Sequence, residues 1–443
     1  MVRVMNSRKD VLKLFYEQEE FMQERIKTGI EQFRKGNCTI KVTDTQGRPI
    51  KGACISVSHK KHEFKFGANL FALDQFETEE KNKKYRKMFK DIFNIATLPF
   101  YWSTIEPEKG LLRYEKGCPE MYRRPPIDTC IEYCEENGIE PREHALAYQT
   151  GFPRWLYGKS TFEVKKELSR RIAEVAERYA DKIPSMEVTN ELNWDMNNID
   201  FYKQDDFVYW CFKEAEKFMP NNQIAINEHG HAWYAGNGTN RDRCYMQIEN
   251  LLRKGARVDA IGLQFHMYTK PEDEYDWTRK TYNPEFLYRI MDKYAEFGLP
   301  LQMTEISIPA YSDDAVDEEI QAEILKNLYS IWFSHKNMEQ IVYWNFIDGY
   351  AAAERGNMTD GENQFHSGFL RFDFSEKPAF TVLNNLINKE WRTNERFVTD
   401  NNGKGSFRGF YGDYDVDVEF DGKVSSHKIS FSKKETGCIK ISI

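Results

Sequence analysis

The stretch "TFEVKKELSRRIAEVAERYADKIPSMEVTNE", residues 161–191, decides the fold. Its first part sets Phe162, Val164, Leu168, Ile172, Val175 and Tyr179 at three- and four-residue spacing, the repeat of a helix with one apolar face. Thr161 stands where an N-cap is needed, and Lys182 lies near the far end, where a cation complements the helix dipole. A proline follows, and then "SMEVTN", a short β-rich run that reads as a buried strand. That run delivers Glu191, a carboxylate placed where burial is costly.

The same alternation extends in both directions, from about Phe66 to Trp391. The strand-like runs are "FKFGANL", "FNIATLPF", "EHALAY", "SMEVTN", "QIAINE", "VDAIGLQF", "PLQMTEISI" and "QIVYWNF", with helical patterns between them. Parallel strands need crossover helices, and closing the sheet removes its edges, so the pattern predicts an α/β chain folded as a (β/α)8 TIM barrel. In such a barrel the functional groups gather at the C-terminal ends of the strands. Glu191 occupies one of those ends.

The flanks read differently. "CTIKVTDTQGRPIKGACISVSH" and the last fifty residues alternate apolar and polar positions around turns such as Asn402-Gly403 and Asp421-Gly422. Neither segment is long enough to build two faces alone. The expected organisation is an N-terminal helix within 1–36, a first part of a β-sandwich at 37–62, the barrel at 63–393, and the rest of the β-sandwich at 394–443. Asp44 to Val57 resembles the opening of transthyretin-like or carboxypeptidase-regulatory-like modules, and "TDNNGKGSFRGFYGDYDVDV" is similar to their continuation.

With 443 residues, 40% hydrophobic and 14% aromatic, the chain has ample material for a large core. A net charge of −8 argues against a nucleic-acid partner, which would need clustered cations along the phosphates. The lysines between Lys81 and Lys84 fit a solvated helix face. "MVRVMNSRKDVLKLFYEQEE" holds no apolar run of signal-peptide or membrane length, so the chain as written is expected in the cytoplasm, or outside the cell if it is a trimmed form. Eight cysteines without a C-x-x-C pair are expected to be reduced, and the sequons at Asn37, Asn237 and Asn357 carry little weight without an export signal. His229 and His231 form an H-x-H pair, but a metal site needs a further placed ligand, so neither metal nor cofactor is expected.

Glu305, in "QMTEISI", ends the seventh strand as Glu191 ends the fourth. Two carboxyl groups about 5–5.5 Å apart across a barrel mouth suffice for glycoside hydrolysis with retention. Burial and mutual repulsion then split the pair into one acid and one ionised nucleophile. Asn190, directly before Glu191, is placed to donate its amide to the sugar 2-hydroxyl.

The ordered set of motifs resembles glycoside hydrolase family 10, whose typical activity is endo-β-1,4-xylanase. The resemblance covers about three quarters of the chain. It implies that Glu191 in "VTNE" is the general acid/base and Glu305 in "MTEIS" the nucleophile. In the same way it implies Gln264 and His266 in "IGLQFHMY" beside the nucleophile, His144 in "REHALAY" as a sugar contact, and Trp344 in "VYWNFID" as a sugar platform. "WSTIEPEKG" and "GFLRFDFSEKPAF" match further family segments, and Asn227, Glu228 and His229 resemble the family's fifth-strand segment and line the pocket. Trp344 and Trp102 are expected to be exposed in the cleft, with Tyr148 beside them.

Three positions depart from the family pattern. Where relatives carry Glu-Asn-x-Met-Lys-Trp, with Asn and Lys holding the non-reducing-side sugar, this chain has Thr97-Leu98-Pro99-Phe100-Tyr101-Trp102. The usual Trp-His of the third strand is Tyr148-Gln149, and Ser307 replaces the Asp that follows the nucleophile. The expected function is therefore a retaining glycosidase on β-1,4-linked plant polysaccharide, xylan first. The alternatives are a retaining β-glycosidase acting on a short, decorated or non-xylan oligosaccharide, or a glycan-binding barrel with little turnover.

Overall fold

The computed structural model describes residues 7–192, 198–234, 238–434 and 437–443. The N-terminal flank supplies β1 (Lys35–Thr43) and β2 (Cys54–His62). Then come β3 (Lys65–Asn69), β4 (Ile95–Pro99), β5 (Glu140–His144) and its short continuation β6 (Ala147–Tyr148). After them follow β7 (Ser185–Asn190), β8 (Gln223–Glu228), β9 (Ala260–His266), β10 (Leu301–Ser307) and β11 (Met338–Tyr343). The C-terminal flank adds β12 (Asn394–Val398), β13 (Lys404–Phe410), β14 (Gly412–Phe420), β15 (Lys423–Phe431) and β16 (Cys438–Ser442).

Strands β3 to β11 form one parallel sheet, and it closes because β3 pairs with both β4 and β11 while β5 pairs with both β4 and β7. Residues of β7 and β10 are buried throughout, as strands covered by helices on one side and by the barrel interior on the other must be. The third strand begins at Glu140, before "EHALAY", and breaks at Ala145-Leu146. The Arg171 guanidinium takes the carbonyls of Ala145 and Leu146 at the break between β5 and β6, in place of the ladder.

The helix before β7 spans Thr161–Tyr179 and buries Val164, Leu168, Ile172, Val175 and Tyr179. Its cap is Ser160 rather than Thr161. The Ser160 hydroxyl accepts from the Glu163 N–H while the Glu163 carboxylate reaches back to the Ser160 N–H, a reciprocal box that Thr161, already helical, cannot make. Arg178 is the cation of the last turn, and Lys182 lies beyond it. Phe162 is exposed, outside the apolar stripe.

The two chain ends meet. β1 pairs with β13 and, in parallel, with β16, while β2 pairs with β12 and β14. The two small sheets enclose a core of their own, with Cys38, Ile40 and Val42 from one end against Ile55, Val57, Val416 and Val418. Before β1, the helix Glu19–Phe33 lies on the barrel helix Ala315–Ser334. Gly29 permits that approach: a Cβ there would stand 2.3 Å from the Ser334 carbonyl oxygen. Arg8 adds an ion pair to Glu274 and another to Asp317 on the barrel. Among the described residues no helix is long and apolar enough to cross a membrane.

Candidate active site

Strand ends β7, β9 and β10 bring Glu191, Gln264 and Glu305 to one point at the C-terminal mouth. The Gln264 side-chain amide donates to Glu191 Oε1 at 3.0 Å and to Glu305 Oε1 at 3.1 Å. The two carboxylate oxygens can be no further apart than the sum of those distances. A shared donor puts the two carboxyl groups within reach of one sugar ring, as the roughly 5–5.5 Å of retaining glycosidases requires.

The two carboxyls have different surroundings. Glu305, 2% exposed, is ringed by donors: Asn227 Nδ2 at 2.7 Å and Gln264 Nε2 on Oε1, and His266 Nε2 at 3.2 Å from Oε2. His144 Nδ1 lies 3.7 Å from the same Oε1. Donors of this kind suit an ionised carboxylate. Among the described residues Glu191 takes donors from Gln264 and from the Tyr148 hydroxyl at 3.1 Å, and its backbone sits in the left-handed region at φ 53°. Burial raises the pKa of Glu191 and the Glu305 charge raises it further, so Glu191 is the member that keeps its proton.

Beneath this pair lies a buried charged network. Burial disfavours a charge on His144, but the carboxylates of Glu187 and Glu305 outweigh it and raise its pKa. Its Nδ1 meets Glu187 Oε1 at 2.9 Å, and its Nε2 lies 3.0 Å from the Tyr101 hydroxyl. Arg142 pairs with the other oxygen of Glu187. His144 is therefore packed behind Glu305, fully buried, rather than at the cleft surface where a sugar contact was expected.

His266 is held by Ser307, whose hydroxyl lies 2.9 Å from Nδ1, and Ser307 meets the Tyr268 hydroxyl at 2.8 Å. A hydroxyl, unlike a carboxylate, is able to donate to Nδ1, so the ring needs no charge to present its Nε2–H to Glu305. Asn190 Oδ1 accepts from both Asn227 and Gln264, which fixes the side chain with its amide nitrogen at the other end.

These groups line a cleft of about 490 Å³ with Phe71, Tyr101, Tyr148, Trp344, His229, Arg123 and Arg124. Of the residues expected at the site, Asn190, Glu191, His266, Glu305, Tyr148 and Trp344 face this cleft. Gln264 and Asn227 are fully buried and act on the carboxylates from behind. Trp102 does not reach the cleft. It is 2% exposed, packs edge-on to Trp155, and donates its indole N–H to Glu106 Oε2. Glu106 also takes the Gly110 N–H and the Arg170 guanidinium, so the "WSTIEPEKG" segment is a brace for the loop. Trp344 borders the cleft at 6% exposure, edge-on to Phe71 and His266, and offers no open platform. Of the expected H-x-H pair, His229 lines the cleft, and the His231 side chain lies outside the described residues, as do Asn193 and Trp194.

Residues 57–385 match the model of Glycosyl hydrolase family 10. The chain belongs to glycosyl hydrolase family 10. Over 401 residues it is 27% identical to the anti-sigma-I factor RsgI6 of Acetivibrio thermocellus, covering 89% of this chain and 46% of that protein. Over 402 residues it is 23% identical to endo-1,4-beta-xylanase 1 of Arabidopsis thaliana, covering 89% and 37%. The chain therefore spans less than half the length of these two curated relatives. The crystal structure of native xylanase 10B from Thermotoga maritima superposes with a TM-score of 0.59 at 21% identity, over 74% of this chain and 96% of that one. That likeness carries the family's barrel fold.

Sequence reasoning missed the cleft wall. Phe71, Arg123 and Arg124 come from the loops after β3 and β4, outside the family's strand-end motifs. The one available signal was "RRPP" at 123–126, two adjacent cations between a barrel strand and its helix.

Proposed function

We propose that this chain is a retaining glycoside hydrolase acting on β-1,4-linked xylan-type polysaccharide. The observation that carries the reading is the single Gln264 amide shared by Glu191 and Glu305 across the barrel mouth. Glu305, ringed by donors, attacks the anomeric carbon. Glu191, with its raised pKa, gives its proton to the departing oxygen, and then, as carboxylate, takes a proton from the water that releases the glycosyl-enzyme. Asn190, oriented by Asn227 and Gln264, binds the 2-hydroxyl, where a hydrogen bond strengthens as the ring flattens. Membership of the family and the xylanases among the relatives favour xylan as the substrate.

The test is mechanism-based labelling. A 2-fluoro-xyloside with a good leaving group should attach to Glu305, seen by peptide mass mapping. A label on another residue, or none after prolonged incubation at high concentration, would remove Glu305 from the nucleophile's role.

A further inference from the structure

The loop across residues 119–126 aims two arginines into the cleft mouth. Arg123 adopts φ 59°, a conformation an arginine avoids, and its N–H is held by Gln75 Oε1 at 2.6 Å. Its guanidinium, 4% exposed, donates to Asn345 Oδ1 at 3.0 Å and to the Tyr350 carbonyl at 2.6 Å. Arg124 lies 4.2 Å over the Tyr101 ring and 5.2 Å from Phe71, and donates to the Arg123 carbonyl at 2.7 Å. Its Nε is buried with no hydrogen-bond partner.

Among the described residues neither guanidinium forms an ion pair with a carboxylate; their acceptors are amide and peptide oxygens. Glu362, which also faces this part of the cleft, is held by Asn345 Nδ2 at 2.9 Å and the Ala352 N–H at 3.2 Å. Two neighbouring cations on an aromatic wall, one with an unused donor, have Glu362 acting on Arg124 from nearby but no direct carboxylate partner among the described residues, and they favour a further anion. Neutral sugar hydroxyls do not need them.

We propose that Arg123 and Arg124 form a recognition site for the carboxylate of a uronic acid carried by the glycan. The proposal rests on the glycoside hydrolase reading above and names the substrate class that site takes. A planar carboxylate matches the fork of a guanidinium, and the sugar ring that bears it lies against Phe71 and Tyr101. Tyr101 touches both Arg124 and His144, and His144 lies 3.7 Å from Glu305, so the carboxylate site opens on the same cleft as the carboxyl pair. Arg124 is the binding donor, its guanidinium lining the cleft over the Tyr101 ring. Arg123 sets the loop and adds its charge.

The test uses calorimetric titration, which needs no turnover, with two probe pairs. One is a xylotetraose bearing a glucuronate branch against the same molecule with its carboxyl reduced to an alcohol. The other is p-nitrophenyl β-glucuronide against the β-glucoside, which places the carboxylate on the main-chain unit instead. The wild-type protein should bind at least one acidic probe about tenfold or more tighter than its neutral partner. Arg124→Gln should erase most of that ratio, and Arg124→Lys should restore only part of it, since an ammonium lacks the fork. A wild-type ratio near one in both pairs overturns the proposal, as does an Arg124→Gln variant, folded by thermal melt, that weakens acidic and neutral probes equally. Labelling of Glu305 without an acidic preference would remove the uronate site alone. An acidic preference without labelling would keep the site and remove the hydrolase reading.

Discussion

The floor and the wall of the cleft follow different rules. The floor, made of Asn190, Glu191, Gln264, His266 and Glu305 with His144, Glu187 and Asn227 beneath, is built from strand ends and tied together by hydrogen bonds between side chains. The wall, made of Phe71, Tyr101, Arg123 and Arg124, is built from loops and held by ring contacts, bonds to backbone carbonyls, and single side-chain bonds to Asn345 and His144. Strand ends place a carboxyl pair to within the tolerance that bond cleavage demands, whereas loops set which sugar is held there. The floor carries the strand-end motifs that resemble the family's, apart from Ser307, and on the cleft surface Tyr101 and Tyr148 stand where the pattern differs.

Substitutions in the floor should therefore act on rate, and those in the wall on substrate choice. The largest effect is expected from Glu305→Ala, with kcat on an aryl xyloside falling by about 10⁴-fold or more while oligosaccharide binding persists. Equal turnover by variant and wild type would break the division between floor and wall. Glu191→Gln should slow substrates with poor leaving groups by about 10²–10⁴-fold and activated aryl glycosides much less. A uniform loss across a leaving-group series would count against Glu191 as the acid.

Tyr148→Phe sharpens the comparison, because Tyr148 belongs to the cleft surface yet bonds the acid of the floor. Its hydroxyl favours the ionised form of Glu191, so removing it should raise the Glu191 pKa further. The alkaline limb of the kcat profile should then move to higher pH, by up to about one unit. A limb that stays in place or moves to lower pH would disconnect Tyr148 from the acid.

The smallest effect concerns stability. Burial pushes the Glu143 carboxyl from 4.5 up to about 8, with Arg171 pulling it down and Glu187 pushing it up. A raised folded pKa means that the folded state holds the proton more tightly. The contribution is therefore complete below about 4.5 and is lost as pH rises toward about 8. Glu143→Gln should flatten the fall in melting temperature across that window, and an unchanged slope would place the titration elsewhere.

Much of this was legible in the chain itself. The 3.6-residue repeat of 161–179 and the strands that follow predict the barrel, because those periodicities arise from burial on a single face or on both. Glu191 and Glu305 stand out as carboxylates that end apolar strands. Trp102 and Trp344 illustrate the limit: an aromatic residue at a strand end reads the same whether it meets sugar or Glu106 and Phe71. His144 was legible as a strand residue, but its depth depends on Arg142 and Glu187, whose meeting is tertiary. The Ser160 cap differed from Thr161 by one position because both residues have hydroxyls, and only the backbone conformation separates them.

The pairing of the chain ends has a consequence for biosynthesis. Ile40 sits beside Ile439 in the finished sheet, so β1 emerges from the ribosome long before the strand that completes it. At about 5–20 residues per second the wait is roughly 20–80 s. During that time β1, both of whose partners lie near the end of the sequence, is an unpaired strand open to chaperones or to a neighbouring nascent chain. Pairing of β13 and β16 with β1 then joins the two flanks, and the barrel between them is held as a closed loop.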